Sequence, residues 1–326
     1  MRSFRVGGGN CYDEPSIMAS TSHAPIGPPW LQKRIAAGDT VLLDGGTGTE
    51  LERRGVPMNE RAWCGDATLG HAQVLRAIHE DYIRAGADVI ITNTFATARH
   101  TLEPIGFGAD VERANRLAVE IARDARQRAA EHEVAVAGSM SDFISDRDDP
   151  AWRREQRLRA TYREQAEILA EAGVDLLALE MMQEPEIAIP AIEAAIDTGL
   201  PVWVGCSCRR AVEQGGLVLF DYPDRDFREL LDGVVGLPVG VIGIMHSEVP
   251  DIMQGLEMLR ERWSGPSAVY PESGYFTMPH WQFVDIITPD DLVGEARAWR
   301  DSGVQLIGGC CGIGPEHIKA LKAALT

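Results

Sequence analysis

The sequence predicts an α/β protein built as a single (β/α)8 barrel of the TIM type, and three observations carry that expectation. After residue 28, short apolar runs alternate with longer amphipathic ones, the pattern of parallel strands joined by crossover helices. The apolar runs number eight. A length of 326 residues suits one such barrel with modest additions. A doubly wound open sheet is the architectural alternative.

The elements follow in order. Residues 1–28 hold Gly7-Gly8-Gly9 with scattered Ser and Pro and no sustained periodicity, so they read as a flexible leader before a barrel domain at 29–326. Strands are expected at Val41 to Gly46, Asp88 to Phe95, Val134 to Met140 and Asp175 to Glu180. Four more are expected at Pro201 to Cys208, Val239 to His246, Ser267 to Ser273 and Gln305 to Cys311. The clearest helical patterns are His71 to Ala85, Trp152 to Ala172 and Pro289 to Asp301. Gly86, Gly173 and Gly303 follow them, each suited to ending a helix in the left-handed region. The phrase "AG" or "SG" before a strand reflects repeated β/α units, with no deeper sequence repeat.

Composition narrows the function classes. Charged residues at 25% and hydrophobic residues at 45% are those of an ordinary globular chain. A net charge of -18 without a basic stripe repels a phosphate backbone, so nucleic acid is not an expected partner. Lysine occurs only at Lys33, Lys319 and Lys322, none at the end of an expected strand, which argues against Schiff-base catalysis. No apolar run is long enough to span a membrane and no signal-peptide pattern opens the chain, so a cytoplasmic location is expected. Six cysteines in a chain of this size favour metal or thiol chemistry over a disulfide framework.

Barrel chemistry collects at the C-terminal ends of the strands. The most telling end is Gly308-Gly309-Cys310-Cys311-Gly312. Adjacent residues of a regular strand point to opposite faces, so both thiols reach one metal only if the backbone turns, which the flanking glycines permit. Two buried cysteines acting as small hydrophobes are the plainer alternative. A catalytic zinc takes three protein ligands and keeps a position for substrate, so a third must come from another strand end. His246 closes the sixth strand, one strand removed from the eighth, and is preferred over Cys206 and Cys208 at the end of the fifth. Asp44-Gly45-Gly46, Asn93-Thr94 and Glu180 close the first, second and fourth strands and are candidates for substrate binding. Gly46-Thr47-Gly48 fails the dinucleotide fingerprint, because Leu51 stands where its third glycine belongs. Trp63 and Trp281, in expected loops, are able to face a cationic methyl donor through cation–π attraction.

The phrases LLDGGTGTELERRG, AGADVIITNTF, AGVDLLALE, VYPESG and GGCCGIGPEHI together resemble the homocysteine S-methyltransferase family, over roughly residues 38 to 325. The resemblance implies a zinc-dependent barrel that moves a methyl group from an onium or methylfolate donor to the sulfur of homocysteine. Cys310 and Cys311 match the family's paired zinc cysteines. Asp44 and Glu180 match carboxylates that hold the substrate's amino group, with Gly45 and Gly46 letting backbone N–H groups meet its carboxylate. Asn93 and Thr94 offer further hydrogen-bonding groups.

Several positions depart from the family pattern. Where a Gly-x-Asn-Cys phrase supplies the third zinc cysteine, this chain reads Gly243-Ile244-Met245-His246. The usual Tyr-Pro-Asn-x-Gly becomes Tyr270-Pro271-Glu272-Ser273-Gly274, and Gly205-Cys206 stands for a customary Ser-Phe. Ser139-Met140-Ser141-Asp142 replaces a Gly-Ser-x-Gly-Pro opening. Glu272 is expected to accept the free ring N–H of a zinc-bound His246, as carboxylates behind ligating histidines do. Imidazole in place of a thiolate makes the zinc site one charge less negative, which lowers a bound thiol's pKa and its nucleophilicity together.

The expected function is therefore a zinc-dependent S-methyltransferase with ligands His246, Cys310 and Cys311. The zinc-activated substrate thiolate attacks an onium donor of the sulfonium or betaine-like kind, and no protein nucleophile is used. The partners are a small-molecule thiol and a methyl donor, with neither nucleic acid nor membrane. Two alternatives remain at this level: a non-catalytic barrel that binds an amino acid or onium compound, and a zinc-dependent demethylase or hydrolase.

Overall fold

The computed structural model describes residues 24–144, 155–211 and 215–326. Eight parallel strands form one sheet: β1 Val41–Leu42, β2 Val89–Ile91, β3 Ala135–Ser141, β4 Leu176–Met182, β5 Val202–Cys206, β6 Val241–Glu248, β7 Ser267–Glu272 and β8 Leu306–Ile307. Each strand pairs with its neighbour in sequence, and β8 returns to β1. A parallel bridge between Leu43 and Val89 closes β1 onto β2. That closure excludes the open doubly wound sheet.

The pleat sorts each strand's side chains between two cores. Val41, Leu43, Ala135, Ala137, Leu176, Ala178, Val241, Ala268 and Leu306 fill the barrel interior, while Leu42, Val136, Leu177, Leu179, Ile242, Ile244 and Ile307 pack against the helices. This period of two is what the strand geometry demands. Helix Pro29–Ala37 plugs the N-terminal end with Leu31 and Ile35. The chain just before it is already engaged, because Trp203 Nε1 donates to the Ile26 carbonyl at 2.6 Å. Residues 1–23 of the expected leader lie outside the described residues.

The three clearest helices lie at Ala72–Ala85, from Glu155 to Ala172, and at Pro289–Asp301. Residues 152–154 of the second expectation lie outside the described residues. Gly86, Gly173 and Gly303 all take positive φ, as their places after the helices require.

Two excursions decorate the C-terminal mouth, and neither follows from the hydrophobic pattern. The expected fifth strand, Pro201 to Cys208, is divided: β5 stops at Cys206, and Cys208–Arg210 begins an antiparallel sheet with Leu217–Leu219 and Tyr222–Asp226. After β7, Tyr275–Thr277 and His280–Gln282 form a hairpin. Glu52 anchors it, meeting His280 Nδ1 at 2.8 Å and accepting the Trp281 N–H at 3.0 Å.

Inside the barrel, Gly205 of β5 lies against β7. A Cβ at this position would stand 2.3 Å from the Tyr270 hydroxyl and 2.4 Å from Met245 Cγ, so the phenol occupies the space a side chain would need.

Candidate active site

The polar strand ends surround one cavity of about 500 Å³ at the C-terminal mouth. Its floor and walls include Gly45, Gly46, Asn93, Glu180, His246, Glu272, Cys310 and Cys311.

Two backbone irregularities aim the site. In β6, Met245 faces the barrel interior, so regular pleating would turn His246 outward. Instead His246 takes φ 44°, beside a register shift between Tyr270 and Glu272 of β7, and both residues line the cavity. Met181 does the same after Glu180, with φ 55° and a register shift between β4 and β5. Left-handed backbone at non-glycine residues costs about 1–2 kcal/mol each, which packing around the mouth must offset. Beyond Ile307 the chain leaves the strand, so Cys310 and Cys311 both face the cavity as the glycine-flanked turn predicts.

His246 Nδ1 lies 3.6 Å from Cys310 Sγ, and the Cys310 and Cys311 sulfurs are 3.8 Å apart. One ligand atom from each residue falls within 4.8 Å of the others. Two thiols and an imidazole at this spacing are the donor set zinc prefers. The two thiols share a proton: Cys311 holds Cys310 down at about 6, with His246 assisting, and is itself pushed well above the usual thiol range. Burial opposes charge on His246, but the Glu272 carboxylate and the Cys310 thiolate outweigh it and hold the imidazolium well above its ordinary value.

Glu272 sits where the sequence expects it, with Oε2 2.9 Å from His246 Nδ1. That is the same nitrogen that faces Cys310, and the contact lacks hydrogen-bond alignment. Glu272 can back a metal-bound His246 only if the ring presents its other nitrogen to the metal.

The carboxylates divide by depth. Glu180 is 9% exposed and accepts a short hydrogen bond from the Ser139 hydroxyl. Burial lifts its carboxyl to about 8, and the nearby Cys310 thiolate adds to the effect. Asp44 lies beneath the floor at 1% exposure; Oδ2 accepts the Ile91 N–H at 2.8 Å while Oδ1 has no partner among the described residues. Burial is the chief reason its carboxyl is pushed well above the usual range, with Glu180 contributing. A buried carboxylate oxygen without a donor is costly unless a ligand completes it, and a substrate ammonium has the right charge.

Two expectations need correction. Thr94 does not line the cavity: its hydroxyl is fully buried, donates to the Ser139 carbonyl at 2.7 Å and meets Thr92 at 2.8 Å. Thr92 lines the cavity in its place. The Gly46 N–H is also committed, to the Ile313 carbonyl at 3.0 Å, so it cannot bind a substrate carboxylate. Asn93 does reach the cavity, although its amide already bonds Cys64 and Thr68.

Aromatic rings form the remaining wall. Trp63 and Trp281, singled out for cation–π contact, both line the cavity with Phe95, Phe143, Phe220 and Phe276. Phe220 stands 4.8 Å from the His246 ring and Phe276 stands 5.9 Å from Trp63, centroid to centroid. Phe220 and Phe276 come from the two excursions and carry no sequence signal. Ser139 was legible as a strand end, but its grip on Glu180 depends on β3–β4 register.

Residues 41–325 match the homocysteine S-methyltransferase family model. The chain belongs to that family. Homocysteine S-methyltransferase 2 of Zea mays is 28% identical, covering 89% of this chain and 91% of its own length. A selenocysteine methyltransferase of Astragalus bisulcatus is also 28% identical, with coverage of 89% and 94%. The metallated form of the Escherichia coli homocysteine methyltransferase MmuM superposes with a TM-score of 0.74 at 26% identity, over 90% of this chain and 99% of that one. Membership in the homocysteine S-methyltransferase family makes the chain a methyltransferase whose acceptor is a thiol. The MmuM neighbour holds a metal, and the two thiols and the imidazole at this chain's cavity are a donor set that suits zinc. No helix among the described residues is long and apolar enough to cross a membrane.

Proposed function

We propose that this chain transfers a methyl group from a sulfonium or betaine-like ammonium donor to homocysteine, with His246, Cys310 and Cys311 as the zinc ligands. The observation that carries the reading is the convergence of these three donors on one cavity with two buried carboxylates. Bound there, zinc supplies a Lewis acid that keeps the acceptor sulfur ionised at neutral pH.

The chain's own residues do the rest. Glu180 and the free oxygen of Asp44 hold the substrate ammonium, and Ser139 keeps the Glu180 carboxylate turned toward it. Glu272 steadies the His246 ring. Trp63, Phe95, Phe220 and Trp281 exclude water and offer π-faces to the onium methyl. In the transfer, the acceptor sulfur's lone pair forms the new S–CH3 bond as the donor's C–S or C–N bond breaks. That bond's electron pair leaves with the neutral sulfide or amine. Holding sulfur and methyl within about 3–3.5 Å is the barrel's main contribution, since no proton relay is needed once the thiol has ionised.

The barrel domain at 29–326 houses this site, and residues 1–28 precede it in the chain as a leader. Acidic charge argues against a nucleic-acid partner, and the free thiols of the cysteines among the described residues suit the cytoplasm.

The test is zinc content of freshly purified protein, without added metal, for wild type, His246→Ala and Cys311→Ala, together with methionine formation from homocysteine and S-methylmethionine. Near-stoichiometric zinc in wild type, lost with activity in both variants, is the expected result. Little zinc in a folded wild type, or full transfer by a metal-free variant, sinks the reading.

A further inference from the structure

We propose that Arg209, on the excursion after β5, selects methyl donors by binding an anionic group at the end remote from the onium centre. The inference rests on the function proposed above and deepens it, assigning the second substrate a binding residue of its own.

The cavity has a strongly asymmetric charge inventory. Glu180, Asp221, Glu248 and Glu272 line it, and Arg209 is the one lysine or arginine among the described residues that does so. Arg209 lies in the Cys208–Arg210 strand, whose ladder pairs it with Val218. Strand alternation sends its neighbour Arg210 the other way, where Asp251 takes the guanidinium at 2.7–2.9 Å. Arg209 makes no ion pair or side-chain hydrogen bond among the described residues, although two carboxylates share its rim. An arginine serving only to neutralise the acidic wall would be paired with it. A guanidinium exposed at a cavity mouth and left without a carboxylate keeps its planar fork ready for an incoming one.

Depth assigns that anion to the donor. Glu180 and Asp44 hold the acceptor's ammonium at the buried floor, beside the thiols that bracket its sulfur. Arg209 stands instead at the exposed rim with Tyr275 and Phe276, residues 54% and 40% exposed. A donor entering over the acceptor therefore meets π-faces around its cationic methyl and a guanidinium at its outer end. Zwitterionic donors satisfy both, whereas a simple onium ion satisfies only the first. The shared chemistry is an onium joined to a carboxylate by a short spacer.

The experiment compares dimethylsulfoniopropionate with its methyl ester, which keeps the sulfonium and loses the carboxylate, using homocysteine as acceptor. Wild type should favour the acid, and Arg209→Gln should raise its KM about tenfold. The ester's KM, the KM for homocysteine and kcat should stay unchanged, with Arg209→Lys recovering part of the loss. Arg209 is exposed, so the variant folds; zinc content and the ester reaction verify this. An unchanged acid-to-ester ratio in Arg209→Gln overturns the inference alone. A rise in the homocysteine KM moves Arg209 to the acceptor and also overturns it. A wild type that methylates homocysteine from neither compound nor from S-methylmethionine overturns the function reading, and this inference falls with it.

Discussion

Two pairs of cysteines end barrel strands in this protein, and their environments are opposite. Cys206, the last residue of β5, and Cys208, the first of the strand that follows, are fully buried in the apolar layer between strands and helices. Burial pushes Cys208 up to about 12 and Cys206 higher still, so both remain inert thiols. Cys310 and Cys311 end β8 around an irregular turn, face the cavity and meet an imidazole. The residue type is the same; the face and the partner differ. A cysteine becomes a metal ligand when the backbone aims it into a polar cavity beside another donor.

The sharpest way to break this contrast is to exchange the losses. Cys310→Ala should abolish both metal binding and methyl transfer while leaving the barrel folded. Cys206→Ala should keep metal and turnover and cost about 1–2 kcal/mol of stability through the small cavity left behind. Comparable activity in the two variants, measured with metal content and urea melts, would erase the distinction.

The histidines extend the comparison and give the next largest effect. Unlike His246, His79 is buried among apolar groups with both ring nitrogens unpartnered among the described residues, and burial lowers it to about 4. His100 is likewise lowered to about 4 by burial. A histidine lowered in the folded state contributes stability that is present above pH 6.5 and is lost as pH falls toward 4, because the unfolded chain binds the proton first. His79→Leu should therefore gain on wild type by up to about 1.4 kcal/mol per pH unit across that window. Glu180 runs against this trend: its raised value contributes stability below about 4.5 that is lost as pH rises through 8. For that reason the wild-type curve alone is uninformative, and the difference between the two proteins is the quantity to follow. A pH-independent difference would mean that His79 ionises without cost.

The smallest expected effect concerns Glu272. Its removal in Glu272→Ala should weaken zinc about 10–100-fold if the carboxylate orients the His246 ring. Tighter binding in the variant would instead mark Glu272 as a competitor for Nδ1, the nitrogen it contacts here.

Much of this molecule was legible in its sequence because barrels impose strong periodicity. All eight strands lie within the expected runs or within a few residues of them, since a buried parallel strand is an apolar run and little else resembles one. The residues of the candidate metal site were legible for a related reason, as strand ends mark the mouth. Side-chain direction at those ends was not. Thr94 and Asn93 are adjacent, yet one turns into the wall and the other toward the cavity, because β2 ends at Ile91 and the chain beyond it follows no regular alternation. The left-handed turn at Met181 is carried by a residue with no preference for that region, and histidine, though enriched there, adopts it too seldom for His246 to be marked in advance. The mouth's two excursions are short and partly exposed, and strands of three to five residues leave too faint a pattern to read.

The phenol of Tyr270 standing over Gly205 ties the size of one residue on β5 to the place of a ring on β7. The family pattern keeps the tyrosine and sets a serine at the first position, so the close approach of ring to backbone belongs to this chain's glycine and requires ring or strand to stand elsewhere when a side chain is present. A side chain added alone at Gly205 should push the Tyr270 ring and the Met245 chain from their places, so the shape of the barrel interior is set at this position before any substrate arrives.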